Sequence, residues 1–375
     1  MEVKRKVTIV GPFLYPWGQA SSRRVHGLAR SLAVNFDVDI ICGNTKNIKS
    51  DEDEGIRYQG VGYETGSETY LSKFIRVIGQ NAIKTVGALR RKSNKPDFII
   101  VYGGHFLFML PLLFWAKIND IKIIVDVVEW YDKNQLTGGR YGPVHINAKL
   151  ALKYVYPRVD GIIAISSYLN SYYEKKGLHT IVIPPISNFQ SCRTQQTLNQ
   201  PRKLIYSGYP GIKDNIHVVI EALKVINNDN IKLELLILSP KINSNYTHLS
   251  FVDVITNIDQ KNVAKYLSQA DFSLMFREDK VFTKAGFPTK FVESMCVGTP
   301  VIGNITSDLD RYLINGETGF ISSTLDVNEI VEIFNNVVQL NVLEMQILRE
   351  NCKIMAENFR YFKYTSKLKE FFNLI

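Results

Sequence analysis

The sequence is poor in the features that mark secreted, metal-bound or membrane-spanning proteins. It has four cysteines in 375 residues, Cys42, Cys192, Cys296 and Cys352, with no C-x-x-C pair and no histidine at ligand spacing. That scatter argues against a disulfide framework and a metal site, and leaves reduced, buried thiols as the expectation. The most apolar run, Phe106 to Ala116 (FLFMLPLLFWA), is eleven residues with a proline inside, too short to span a bilayer. The opening MEVKRKVTIVG passes from charged residues straight into an apolar strand. No signal peptide is expected, and a cytoplasmic location is. There is no G-x-G-x-x-G fingerprint, RNP sequence, zinc finger, internal repeat or low-complexity segment. The expectation is therefore no dinucleotide fingerprint and no nucleic-acid partner.

What is present is an ordinary globular composition, 45% apolar and 22% charged, in a chain longer than one typical core. The net charge of +9 is lopsided. Residues 1–187 hold 25 Lys+Arg against 16 Asp+Glu, whereas 188–375 hold 20 of each. One contributor is a helical pattern from Thr69 to Lys92, with Leu71, Phe74, Ile75, Ile78, Ile83 and Val86 among Lys73, Arg76, Lys84, Arg90, Arg91 and Lys92. Such a helix packs on the core with a solvated basic face, or rests on anionic lipid.

Apolar β-branched runs alternate with helical patterns through both halves. In the first, strands are predicted at Val7–Val10, Asp37–Cys42, Phe98–Tyr102, Lys122–Val128, Ile162–Ile165 and Ile181–Ile183. Helices are predicted at 23–33, from His105, over 144–156 and from Ser167, and Asp51–Glu54 reads as an acidic loop. Residues 184–201 are polar and proline-flanked and read as a linker. The second alternation has strands at Lys203–Tyr206, Leu233–Leu238, Val252–Ile255, Phe272–Met275, Pro300–Ile302 and Gly319–Ile321. Its helices start from Asn215, Gln260 and Pro288. Continuous apolar strands between helices indicate parallel sheets covered on both faces. The fold class is α/β, two doubly wound Rossmann-like domains with ligand sites at the carboxyl ends of strands facing a central cleft.

The most informative segment is Ala285 to Phe320, AGFPTKFVESMCVGTPVIGNITSDLDRYLINGETGF. Pro288 and Gly298 punctuate a short helix, and Lys290 and Glu293 fall three apart on one face of it. The segment resembles the donor-binding signature of retaining, nucleotide-sugar-dependent glycosyltransferases of family four, which have the GT-B fold. It follows the P-T-K-x-x-E form of that signature. The longer form carries a second glutamate eight positions earlier, where this chain has Ala285.

That resemblance implies residue roles. Glu293 would accept hydrogen bonds from the nucleotide ribose, and Thr289 and Lys290 would lie on the donor. Gly208 and Lys213, in SGYPGIKDN after the first C-domain strand, would approach the diphosphate. Arg277, directly after Phe272–Met275, would compensate for the family arginine replaced here by Tyr209. Gly18, in GPFLYPWGQASSRR, would face the diphosphate from the other domain. His105, Asp126 and Glu129 follow N-domain strands and would hold sugar or acceptor. A departing diphosphate gains negative charge, which cations and backbone N–H groups at that point stabilise without a metal.

The expected domains are 1–187 on the acceptor side, 188–357 binding the nucleotide sugar, and 358–375 as a last helix crossing back to the first. Phe359, Phe362, Leu368, Phe371 and Phe372 form the apolar stripe of that helix. The expected function is transfer of a sugar from a UDP- or GDP-linked donor to a glycan or lipid-linked glycan in cell-surface polysaccharide synthesis. The nucleotide sugar is then a substrate, and no cofactor is implied. An anionic membrane surface is a candidate partner of the basic N-terminal domain. The alternatives are a non-catalytic nucleotide-sugar-binding subunit and a GT-B nucleotide-sugar epimerase.

Overall fold

Unbroken β-branched runs become strands because only a parallel sheet covered on both faces buries side chains of both parities. The computed structural model of the chain describes residues 4–16, 20–43, 51–61, 81–136, 138–187, 198, 200–208, 214–239 and 246–375. The chain divides into two compact units, 1–186 with 360–375, and 187–359.

The first unit runs β1 (Lys6–Val10), α1 (Ala20–Ala33), β2 (Asp37–Cys42), β3 (Asp51–Asp53), β4 (Ile56–Gly60), α2 (Asn81–Arg90), β5 (Phe98–Tyr102), α3 (Phe106–Ile118), β6 (Lys122–Val127), α4 (Pro143–Leu150), β7 (Gly161–Ala164), α5 (Ser167–Glu174) and β8 (Thr180–Val182). Its eight-stranded sheet has the order β3-β4-β2-β1-β5-β6-β7-β8. Every pairing is parallel except β3 with β4. The chain winds outward from β1 and then returns to β5. The carboxyl ends of β1 and β5 therefore flank the point where strand order reverses, the usual ligand position in such sheets.

Two expectations for this unit change, and a third falls partly outside the described residues. The acidic Asp51–Glu54 segment is not a loop: Asp51–Asp53 pairs antiparallel with β4. Glu54 and Gly55 form the two-residue turn with φ of +46° and +82°, the backbone that a tight hairpin requires. Tyr58 donates its hydroxyl to the Asp51 carboxylate at 2.8 Å. The helix read over 144–156 is α4 followed by a π turn (151–155) and a 3-10 turn (156–158), where Pro157 has no N–H to continue it. In the basic helix read over 69–92, residues 69–80 lie outside the described residues and the remainder is α2.

The second unit runs β9 (Arg202–Ser207), α6 (Ile216–Ile226), β10 (Leu233–Ser239), β11 (Val252–Thr256), α7 (Gln260–Gln269), β12 (Phe272–Met275), α8 (Val281–Ala285), α9 (Thr289–Val297), β13 (Val301–Gly303), β14 (Gly319–Ile321), α10 (Val327–Gln339) and α11 (Val342–Ala356). Its sheet is all parallel, in the order β11-β10-β9-β12-β13-β14. Strand order reverses between β9 and β12. On one face Leu204, Leu235, Phe272 and Ile302 pack with Val219 and Leu223 of α6 and Ile330 and Phe334 of α10. On the other, Ile205 and Leu238 meet Leu267 of α7 and Val297 of α9. Most of the linker segment, 188–197 and 199, lies outside the described residues.

The final helix, α12 (Thr365–Leu374), belongs to the first unit. Phe372 packs on Phe98 and Phe36 with ring centroids 4.9 and 5.0 Å apart, and Leu368 and Phe371 join the same core. The apolar stripe read over this segment is split. Phe359 sits among Phe287, Phe291 and Tyr312 of the second unit, while Phe362 is half exposed. Among the described residues no helix is long and apolar enough to cross a membrane.

Candidate functional site

In the second unit the switch point between β9 and β12 gathers charge. β12 delivers its chain through Phe276 to Arg277, which is 9% exposed. Asn304, just past β13, clamps the Arg277 main chain: its Oδ1 accepts from Arg277 N at 2.8 Å and its Nδ2 donates to Arg277 O at 2.7 Å. The first turn of α9 supplies Lys290, and no side chain caps that helix start. Pro288 is the N-cap, and the helix stops at Gly298 in the left-handed region.

Between the two cations sits Asp214, immediately before α6. Asn215 N donates to Phe276 O at 2.7 Å, which pins the Asp214 turn beside Arg277. Asp214 Oδ1 accepts from Arg277 Nε at 2.8 Å. Its Oδ2 accepts from Lys290 Nζ and from the Tyr206 hydroxyl, the latter at 2.7 Å. The Lys290 ammonium also lies 4.3 Å from the centre of the Tyr206 ring. Burial alone would raise the Asp214 carboxyl, but Lys290 and Arg277 outweigh it and hold it far below the usual carboxylate range. Burial lowers the proton affinity of Lys290, against the opposing pull of Asp214. The set carries two cations and one anion. The terminal nitrogens of Arg277 make no hydrogen bond among the described residues. That leaves a planar fork suited to a phosphate or carboxylate.

Gly208, at the end of β9, has φ of +140°, and a Cβ there would come within 3.2 Å of Lys290 Nζ. A side chain at this position would therefore push against the ammonium. Glu293 is buried one turn beyond Lys290 and raises its proton affinity. Thr289 is the first residue of α9 and half-buried. The structure thus brings Arg277, Lys290, Gly208, Glu293 and Thr289 into one neighbourhood. Lys213 and Gly18 lie outside the described residues. Ala285 ends α8 and is fully buried.

In the first unit, His105 precedes α3 at the carboxyl end of β5. Its ring lies 5.7 Å from that of Tyr131, and its nitrogens make no hydrogen bond among the described residues. Burial pushes its pKa down, so the imidazole is neutral at neutral pH and can donate from one nitrogen and accept at the other. Glu129 is half-buried in the segment that follows β6, two residues past its end.

Asp126 differs from the other candidates. It lies inside β6, its side chain is fully buried, and both of its oxygens are taken by Arg24, from Nε at 3.1 Å and Nη2 at 2.8 Å. Arg24 Nη1 also donates to the carbonyls of Ile183 and Pro184. A carboxylate paired in this way ties α1, β6 and the segment after β8 together, with its side chain fully buried against Arg24.

Sequence reasoning passed over Asp214, Tyr206 and Asn304. An aspartate in a polar segment between Lys213 and Asn215 reads as surface charge. Nothing in the one-dimensional pattern says that its carboxylate turns inward between two cations. Asn304 carried a weak signal, since an asparagine just past a strand end often satisfies backbone groups at a turn.

Residues 190–359 match the family model described as Glycosyl transferases group 1. No curated protein matches the chain. Solved structures resemble it along nearly its whole length. Sucrose-phosphate synthase (tll1590) from Thermosynechococcus elongatus has a TM-score of 0.74 at 15% identity, covering 99% of each chain. TarM has a TM-score of 0.72 at 10% identity, covering 98% of this chain and 99% of its own. Anabaena Alr3699/HepE in complex with UDP-glucose has a TM-score of 0.67 at 11% identity, covering 99% and 100%. At these identities the likeness establishes the fold, the two-unit GT-B architecture of glycosyltransferases.

Proposed function

We propose that this chain, a GT-B protein whose second unit carries the glycosyl transferases group 1 domain, is a retaining glycosyltransferase acting from a nucleoside-diphosphate sugar. The observation that carries the proposal is the guanidinium fork of Arg277, whose terminal nitrogens make no hydrogen bond among the described residues, held beside Lys290 at the switch point of the second sheet. A leaving diphosphate needs positive charge fixed where its own charge grows, and these two side chains supply it without a metal ion. Glu293 takes the ribose, and Thr289, Gly208 and Lys213 complete the donor contacts. UDP-glucose and UDP in the HepE complexes, and ADP in that of starch synthase IV from Arabidopsis thaliana, support a donor of this class.

The reaction is hexosyl transfer. The bond from the anomeric carbon to the diphosphate breaks, an acceptor hydroxyl bonds to that carbon on the same face, and its proton passes to a diphosphate oxygen. His105 and Glu129 hold sugar or acceptor.

A thermal-shift screen against UDP, GDP and their common sugars tests the reading. The cognate nucleotide at a hundredfold excess over its dissociation constant stabilises by about 2.7 kcal/mol, and Glu293→Ala removes the shift. The reading fails if no nucleotide stabilises the protein, or if Glu293→Ala leaves binding and transfer intact. A second reading, a nucleotide-sugar-binding subunit without turnover, is favoured by one observation: Ala285, buried and carboxylate-free, stands where the longer form of the signature carries its sugar-contacting glutamate. Binding without consumption of donor selects it.

The acceptor belongs to the same proposal: a glycan or lipid-linked glycan of a cell-surface polysaccharide, reached at an anionic membrane. Its support is α3, which leaves Leu107, Leu110, Phe114 and Ile118 exposed at helical spacing, Phe114 by 69%, in a half of the chain with net charge +9. Exposed apolar ladders beside basic residues suit an anionic interface. The protein is expected to co-sediment with vesicles containing anionic phosphatidylglycerol and not with neutral ones, and Phe114→Ser is expected to weaken that binding. Equal retention by both vesicle types contradicts it.

A further inference from the structure

We propose that Asp214 is a positioning residue of the diphosphate site, an acidic side chain that strengthens anion binding by fixing the two cations that meet the anion. The inference rests on the reading of Arg277 and Lys290 as diphosphate contacts and assigns the group that makes them a unit. A carboxylate beside a polyanion site is a paradox on charge alone, since it repels the ligand. The geometry resolves it.

Arg277 and Lys290 have side chains 11% and 15% exposed, and without a counter-ion two such cations repel each other and lose hydration. Asp214 compensates both. It takes the Nε edge of the guanidinium and so fixes the plane of the group, while both terminal nitrogens make no hydrogen bond among the described residues. It takes one of the three ammonium hydrogens of Lys290, and the Tyr206 ring restricts the rest of that group. Asp214 is itself immobilised, by the Tyr206 hydroxyl and by the bond from Asn215 N to Phe276 O. Two long side chains are thereby ordered during folding rather than during binding, which removes that cost from the ligand's affinity.

The test has a sign. Asp214→Asn deletes one negative charge at nearly constant shape, so Coulomb's law alone makes diphosphate binding tighter. Loss of positioning makes it weaker. The readout is the affinity ratio of UDP to UMP, or of GDP to GMP if the site prefers guanine, measured by calorimetry at fixed salt. The monophosphate reports an intact nucleoside site. The expected result is a ratio lowered about tenfold, with monophosphate affinity within about twofold of the wild type. An unchanged or increased ratio overturns the proposal, and so does equal weakening of both nucleotides. If Asp214→Asn does not fold, Asp214→Glu keeps the charge and moves the carboxylate by one methylene. A lowered ratio there supports positioning, and a wild-type ratio overturns it. Arg277→Ala, measured in parallel, separates the two levels. A ratio that falls in Arg277→Ala and holds in Asp214→Asn rejects Asp214 alone, whereas a ratio that holds in Arg277→Ala rejects the diphosphate site itself.

Discussion

Replacing Arg277 with alanine is expected to weaken nucleoside-diphosphate binding by about 1.5–3 kcal/mol, the range for hydrogen bonds to a charged group. An exposed lysine or arginine rarely contributes as much, because water and salt screen it and the side chain pays entropy to stay in place. Arg277 differs on each count. It is nearly buried, its main chain is clamped by Asn304, and its Nε is fixed by Asp214. Arg277→Lys is expected to recover only part of the loss, since an ammonium cannot reproduce the two-pronged contact. The fold should tolerate either change, because Lys290 and Tyr206 still satisfy Asp214. Calorimetric titration with UDP and GDP checks the expectation, and a dissociation constant within about twofold of the wild type would remove Arg277 from the site.

That prediction was accessible from sequence only in part, and the division has a physical cause. Strands such as Asp37–Cys42, Phe98–Tyr102 and Phe272–Met275 were legible because apolar runs between helices have one economical arrangement, a sheet buried on both faces. The boundaries of α9 were legible because Pro288 and Gly298 punctuate it. β3 was hidden, since Asp-Glu-Asp has no strand propensity. It forms because the Glu54-Gly55 turn returns the chain along β4, and a turn of that type is a weak signal without asparagine or aspartate at its first position. The cations Arg277 and Lys290 were singled out by their places after a strand and at a helix start. Asp214 was not, because whether a carboxylate is solvated or shared between two cations depends on tertiary placement alone. Asp126 shows the converse. A position near a strand end suggested a ligand contact, but one residue of register decides whether a side chain on β6 faces a ligand or a neighbouring arginine.

The pairing of Arg24 with Asp126 carries the largest expected effect on stability. Arg24→Met is expected to destabilise the first unit by about 3–5 kcal/mol, the usual result of removing one member of a buried ion pair. It strands the fully buried Asp126 carboxylate and leaves the Ile183 and Pro184 carbonyls without their donor. In a unit of this size that corresponds to a fall in melting temperature of roughly ten degrees. The cost comes from the orphaned charge more than from the lost attraction, so Asp126→Leu added to Arg24→Met should recover part of it. The two readings of Asp126 separate cleanly here. If its carboxylate also worked on a substrate, the double variant would regain stability while its turnover collapsed. If it braces α1, β6 and the segment after β8, the melt moves first, and the double variant regains stability without a carboxylate at position 126. Thermal and urea unfolding of the single and double variants, with turnover of the double variant, decides between them, and a single variant that melts within a degree or two of the wild type would refute the brace.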